Sequence, residues 1–168
     1  MPYYEEERTW YDTAQVCLNG HPVNSCSVSS PEFSKAYCQQ CGAKTITNCP
    51  ACGAAIQGRI HMPAVADFSE YEVPAHCHSC GKPYPWTAAR IEAAKELSDE
   101  LDALTPEEKQ QLRNSIDDLV ADTPRTAVAA TRFKKLASKA GKGAVEAFKS
   151  VLVGVLSEAA KKILFPGP

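Results

Sequence analysis

Hydrophobic and polar positions follow two different rules along this chain. From Ala14 to Trp86 only sixteen of 73 residues are Val, Ile, Leu, Met, Phe, Tyr or Trp. The ordered patterns there are short. Thr45-Ile-Thr and Ala55-Ile-Gln-Gly-Arg-Ile60 alternate as strands do. Beyond Trp86 the period changes to that of a helix. Thr87 offers an N-cap, with Trp86 and Ile91 at the staple positions. Ile91, Ala94, Leu97, Leu101 and Leu104 then keep one face for roughly four turns. A second helix is predicted from Thr105-Pro-Glu-Glu108, where Pro at the first helical position and Glu at the third complete a capping box. Its apolar face is Leu112, Ile116, Leu119 and Val120. Asp122-Thr-Pro124 repeats the stop-and-start signal, and a third helix reaches about Ala140 with Ala129, Phe133, Leu136, Ala137 and Ala140 on one side. After Gly141-Lys-Gly143 a last, continuous helix is expected from Ala144 to Leu164. Its face would be Val145, Phe148, Leu152, Val155, Leu156, Ala159 and Ile163, and Pro166 ends it.

Composition sharpens this division. The 168 residues (18.2 kDa) are 44% hydrophobic and 23% charged, ordinary for a folded chain and unlike disordered or fibrous sequences. All eight cysteines and all four histidines precede Gly81. Net charge runs from −3 over residues 1–85 to −6 over 86–122 and +7 over 123–168. These shifts mark an N-terminal arm (1–13), a Cys/His-rich domain (14–86), an acidic helical hairpin (87–122) and a basic amphipathic tail (123–168). The start, MPYYEEERTWYD, has no basic region followed by an apolar one, so no Sec leader is expected. The charge-free apolar run Ser150–Ser157 is far shorter than the roughly 20 residues that span a bilayer. A cytoplasmic location is therefore expected, with peripheral membrane contact as an alternative. In a reducing compartment cysteines in this pattern bind metal rather than pair as disulfides.

The candidate ligands fall into four pairs: Cys17 with His21, Cys38 with Cys41, Cys49 with Cys52, and Cys77 with Cys80. Two ligands separated by two or three residues grip one ion only if the chain turns tightly, and a glycine in or after each pair permits that turn. Eight ligands fill two tetrahedral sites with two structural zinc ions. One site has three cysteines and a histidine, the other four cysteines. Sequential pairing is preferred. Joining the second pair to the third would leave seven residues between them, too few for a hairpin. So small and apolar-poor a domain needs staples, and a structural zinc supplies on the order of 10–16 kcal/mol of apparent binding free energy at neutral pH. Cys26 is the odd thiol, read as a small buried apolar residue ahead of a substitute ligand or a reactive thiol. His78, between two ligands where side chains point outward, is read either as a residue that supports a ligand from behind or as a surface residue.

CLNGH, YCQQCGAKTITNCPACGAAIQG and PAHCHSCGKPYPWT resemble the double zinc ribbons of small bacterial proteins. Together with the tail ATRFKKLASKAGK, the chain resembles one functionally uncharacterised bacterial family of that kind. The resemblance implies a bacterial source, structural zinc and a helical tail, and implies no activity. The expected fold is thus a small α+β protein, with tandem zinc ribbons of short β-hairpins followed by an α-helical C-terminal region.

Catalytic signatures are missing. There is no HExxH, no His-x-Glu ahead of a Pro-Cys-x-x-Cys as in zinc deaminases, no P-loop and no Gly-x-Ser-x-Gly. Zinc sites closed by four protein ligands leave no position for substrate, so a non-enzymatic role is expected. The tail carries the functional expectation. Lys134, Lys135, Lys139, Lys142, Lys161 and Lys162 accompany the apolar Phe148, Leu152 and Leu156, a combination suited to engaging a protein partner or a second copy of the chain. An anionic membrane surface is the first alternative. Nucleic acid is the second: the ribbon half is net negative and has only Lys35, Lys44, Arg59 and Lys82, so phosphate contacts would fall to the tail.

Overall fold

The computed structural model describes residues 8–62 and 69–167, so residues 1–7 of the expected arm lie outside it. The chain divides into two compact units, 1–86 and 87–168.

In the first unit, β1 (Trp10–Thr13) pairs antiparallel with β5 (Gln57–His61), joining Trp10 to His61 and Tyr11 to Ile60. The arm is therefore part of the ribbon from Trp10 onward, contrary to the division at residue 13. Its polar sequence conceals a strand because that strand only completes a two-stranded ribbon. The register shifts between Tyr11 and Thr13, opposite Gly58. A side chain at Gly58 would strike the carbonyl oxygen of Ser25, that of Asp12 (2.8 Å) and the Ala14 nitrogen (2.9 Å), so glycine lets the 24–30 loop lie against β5. A second sheet orders β3 (Pro22–Asn24), β2 (Gln15–Cys17) and β4 (Thr45–Ile46), all antiparallel. Ala14, Val16, Ile56, Tyr84 and Trp86 form a small core together with Cys49 and Cys77. Both strands expected from alternation are present: Thr45–Ile46 stops one residue short of the expected end, and Gln57–His61 starts two residues later and ends one residue later than expected.

The second unit contains α1 (Pro85–Asp99) from its third residue onward, α2 (Pro106–Leu119), α3 (Thr126–Lys139), α4 (Lys142–Leu152) and α5 (Glu158–Leu164). Helix α1 starts two residues before the expected cap, which places Thr87 inside the helix. It also stops at Asp99, so Leu101 and the buried Leu104 belong to the following turn. The capping box of α2 is complete. The Glu108 N–H donates to Thr105 Oγ1 (3.3 Å) and the Thr105 N–H to Glu108 Oε2 (3.0 Å); such a cap contributes about 1 kcal/mol.

The expected last helix is two helices. Val153 and Gly154 are poor helix formers, and Ser157 begins a new helix by accepting the Ala160 N–H at 3.2 Å. The Ser157 N–H is taken by the Leu119 carbonyl at the end of α2 (2.9 Å). The break resets the helical phase. Ala160 and Leu164 are buried, whereas the expected Ala159 and Ile163 are only partly so.

One core serves the acidic hairpin and the basic tail together. Leu112, Ile116 and Leu119 of α2 share it with Phe133 and Leu136 of α3 and Phe148 and Leu152 of α4. Phe133 and Phe148 meet edge to face at 4.9 Å. Residues 87–122 and 123–168 are thus not separate modules. Among the described residues no helix is long and apolar enough to cross a membrane.

Candidate metal centres

Three of the four pairs are built alike. The N–H of the first cysteine donates across the turn (Cys38 to Ala43 O, Cys49 to Ala54 O, Cys77 to Lys82 O), and the glycine N–H returns to that cysteine's carbonyl, all at 2.8 to 2.9 Å. In each, the residue before the first cysteine bridges to the residue three after the second: Tyr37 with Lys44, Asn48 with Ala55, His76 with Pro83. The glycines that close these turns, Gly42, Gly53 and Gly81, all have positive φ between 71° and 78°. The fourth pair is a longer variant, in which Gly20 donates to the Cys17 carbonyl (2.9 Å) and His21 takes the place of the second cysteine.

These turns gather two clusters: Cys17, His21, Cys38 and Cys41, and Cys49, Cys52, Cys77 and Cys80. Pairing is sequential, and the second pair does not join the third. A tetrahedral ion with bonds of ~2.3 Å to sulfur and ~2.0–2.1 Å to nitrogen separates two sulfurs by ~3.8 Å and a sulfur from a nitrogen by ~3.6 Å. Sulfur separations are 3.7 Å for Cys17–Cys41, 3.7 Å for Cys52–Cys77 and 3.9 Å for Cys49–Cys80. His21 Nδ1 lies 3.5 Å from Cys17 and 3.7 Å from Cys38. Both donor sets therefore fit one tetrahedral ion each. In each cluster two cysteines are buried and at least one is exposed.

The surroundings suit thiolates. The His21 N–H donates to Cys17 Sγ (3.3 Å), Ser79 N–H to Cys77 Sγ (3.4 Å) and Asn19 Nδ2 to Cys41 Sγ (3.4 Å). The Ala43 N–H and then Asn19 lower Cys41 to about 6. The N–H groups of Cys80 and Ser79 do the same for Cys77, also to about 6. Burial pushes Cys17 up. At Cys52 the Ala54 N–H pulls down, but desolvation and the three neighbouring thiols prevail and raise it to about 11. Each cluster thus pairs a cysteine shifted toward its thiolate with one shifted toward its thiol, which would give up its proton to a bound cation. Tyr84 supplies a further sign of fit. Its hydroxyl is buried beside Cys77, its acidity reduced by burial and by that thiol, yet it has no hydrogen-bond partner among the described residues. If an ion held Cys77 as a thiolate, that sulfur would be the acceptor for this hydroxyl.

A third grouping was not expected. Asp12, Cys26 and His61 bring a carboxylate oxygen, a sulfur and an imidazole nitrogen within 4.8 Å of one another. Asp12 falls in the expected arm, and Cys26, expected as an apolar filler, is half-buried among polar groups instead. His78 is exposed, as its place between ligands suggests.

The expected interaction residues separate by type. Phe148, Leu152 and Leu156 are 0%, 1% and 5% exposed within the helical core. The apolar part of the expected docking face is therefore used inside the unit, because α4 and α5 turn it against α2 and α3. Lys134, Lys135, Lys139, Lys142 and Lys162 are exposed and Lys161 is half-buried. Lys139 is taken up by Glu108 and Lys161 by Glu158 (2.7 Å). Arg125 pairs with Asp118 at 3.2 Å, so the charge difference between hairpin and tail is partly satisfied within the unit.

A family model described as "Uncharacterized protein conserved in bacteria (DUF2321)" matches residues 10–164, which span both units. The chain belongs to this family. No curated protein and no solved structure matches the chain. The family match begins at Trp10, the first residue of β1, and ends at Leu164, the last of α5. Both Cys/His clusters and all five helices lie within it.

Proposed function

We propose that the protein is a non-catalytic zinc-binding interaction module, in which two structural zinc ions hold the N-terminal unit and the basic helical unit engages a protein partner or a second copy of the chain. The observation that carries this reading is the closure of both clusters. Each supplies four N/S ligands at tetrahedral separations, which is the composition of structural zinc and leaves no coordination position for a substrate. Cys17, His21, Cys38 and Cys41 would hold one ion, and Cys49, Cys52, Cys77 and Cys80 the other.

The interaction half of the proposal rests on Lys134, Lys135, Lys142 and Lys162, which are exposed on the helical unit, Lys134 with a long bond to the Ile163 carbonyl (3.4 Å), while Asp118, Glu108 and Glu158 pair with Arg125, Lys139 and Lys161. A protein partner is favoured over a membrane surface because interfacial binding draws on buried apolar area. Here Phe148, Leu152 and Leu156 would have to leave the core to provide it.

Elemental analysis of protein purified without chelator should find two zinc ions per chain. Cys17→Ser should lose one and Cys77→Ser the other. Fewer than about 1.5 ions at full occupancy would rule out two structural sites of the usual affinity. For the interaction half, Lys134→Glu combined with Lys135→Glu should weaken self-association or partner binding, read by light scattering and cross-linking. Unchanged association together with flotation on anionic vesicles would favour the membrane alternative.

A further inference from the structure

We propose that Asp12, Cys26 and His61 form a third, exchangeable site for a divalent transition-metal cation, distinct from the two closed clusters. The three donor atoms come from β1, the 24–30 loop and β5, and face one another within 4.8 Å. Two metal–ligand bonds of ~2.0–2.3 Å span at most ~4.6 Å, so a small adjustment brings all three onto one ion. The His61 Nε2 to Asp12 Oδ2 distance is already 3.1 Å, against ~3.3 Å for the oxygen–nitrogen edge of a tetrahedral zinc site. The cation would take the place of the proton now shared along that edge.

The site is held firmly from behind. Asp12 Oδ1 accepts the N–H groups of Thr13 (2.7 Å) and Val28 (3.0 Å), and Oδ2 accepts the Ser29 hydroxyl (2.5 Å) and N–H (3.3 Å). The Asp12 side chain is fully buried, and His61 is 36% exposed. Burial would raise the Asp12 carboxyl, but the bonds from Ser29, Val28, Thr13 and His61 outweigh it and keep the group ionised. Ser27 anchors the loop to Thr13 O through both its N–H (2.9 Å) and its hydroxyl (2.7 Å). Asn24 Oδ1 fixes the Cys26 N–H at 2.9 Å. The Gly58 contact brings this loop close enough for Cys26 to reach His61. Among the described residues the Cys26 sulfur itself has only a long contact with Ser25 Oγ (3.9 Å), so its side chain is free to turn toward the ion.

Charge supports a divalent ion. One carboxylate, one thiolate and one neutral imidazole carry −2 in total, which a divalent cation neutralises. Binding to neutral His61 would release the Cys26 proton and move the imidazole proton to Nδ1. With three protein ligands on a half-exposed edge, the fourth position is left to water. That distinguishes the site from the two closed clusters and makes its ion exchangeable. Trp10 stacks on the His61 ring at 4.3 Å between centroids, placing a fluorophore against the ligand.

The test titrates Co2+ into full-length protein whose two closed clusters are saturated with zinc. Wild type should take up one equivalent more than Cys26→Ser or His61→Gln. This difference is read independently of how much zinc the closed clusters hold. Uptake should bring the charge-transfer band of a single cobalt–thiolate bond and quench Trp10 fluorescence. At free cobalt ten times the Kd, alkylation of Cys26 by iodoacetamide should slow roughly tenfold, as simple occupancy requires. No difference in uptake between wild type and the two variants overturns the proposal. So does a Cys26 alkylation rate that cobalt leaves unchanged, which would make Cys26 a reactive thiol and not a ligand.

Discussion

Lys139 Nζ donates to both carboxylate oxygens of Glu108, at 2.6 and 2.8 Å, and so fastens the end of α3 to the start of α2. Glu108 also closes the capping box, so one carboxylate serves the helix terminus and the contact between acidic and basic segments. The pair is partly exposed, and its own contribution is small. What it marks is a shared core. Removing residues 123–168 would strip α3, α4 and α5 from Leu112, Ile116 and Leu119, exposing three fully buried side chains. Each is worth roughly 1.5–3 kcal/mol when buried. A chain ending at Asp122 should therefore lose cooperative melting of its helices and become sensitive to proteolysis after residue 86. A sharp melt of α1 and α2 in that truncated chain would show that the hairpin is independent after all.

The same pair gives the helical unit a defined response to acid. Lys139 and then the Thr105 N–H hold Glu108 below its ordinary 4.5, and Lys161 holds Glu158 below it. A depressed carboxyl stabilises the folded state fully above the unfolded value, and that contribution is lost as pH falls through the lower folded one. Melting of the helices, followed by circular dichroism, should be flat from neutrality to about pH 5 and should then decline below 4.5. Glu108→Gln should lower the plateau slightly and shrink the acid-dependent part. A Glu108→Gln chain that keeps the full decline would place its origin elsewhere.

Much of the two Cys/His clusters was legible because their geometry is local. A cysteine pair, the glycine after it and the flanking bridge occupy about eight residues, and turn geometry follows from so short a segment without reference to the rest of the chain. The capping box of α2 was readable for the same reason. What escaped was long-range. Asp12 and His61 are 49 positions apart, and their meeting depends on the β1–β5 register and on the space left at Gly58. The division of the last helix depends on Ser157 finding the Leu119 carbonyl. The inward turn of Phe148, Leu152 and Leu156 was equally hidden. A basic amphipathic pattern is the same in sequence whether its apolar face meets a partner, a membrane or the chain's own core.

Tyr84 offers a way to weaken one metal centre without touching a ligand. Its buried hydroxyl beside Cys77 lacks an acceptor among the described residues, and a metal-bound thiolate would supply one. Tyr84→Phe keeps the ring stacked on Trp86 at 4.6 Å and removes only the donor. Metal at the Cys49–Cys80 centre should then be lost to a competing chelator at roughly 10- to 100-fold lower chelator strength, the usual effect of removing an outer-shell hydrogen bond. The Cys17–Cys41 centre should be unaffected. Equal loss from both centres would indicate general destabilisation, and no loss would mean that the hydroxyl does not reach the thiolate.

Chelation separates the two units. Among the described residues the first has a core of only seven buried side chains, and two of these are the ligands Cys49 and Cys77. Without metal those thiols become polar groups in a core too small to hold the strands, whose longest has five residues. The second unit has a core of seventeen buried residues, none of them a ligand. Prolonged chelation should therefore collapse the ribbon's dispersed amide NMR resonances and open it to protease, while helical circular dichroism from residues 87–164 persists. Restoring zinc should return the ribbon signals, as expected where ion binding and folding are linked. If the helical signal disappeared along with the ribbon's, the helices would need the ribbon as a packing surface, and the seventeen-residue core would not be self-sufficient.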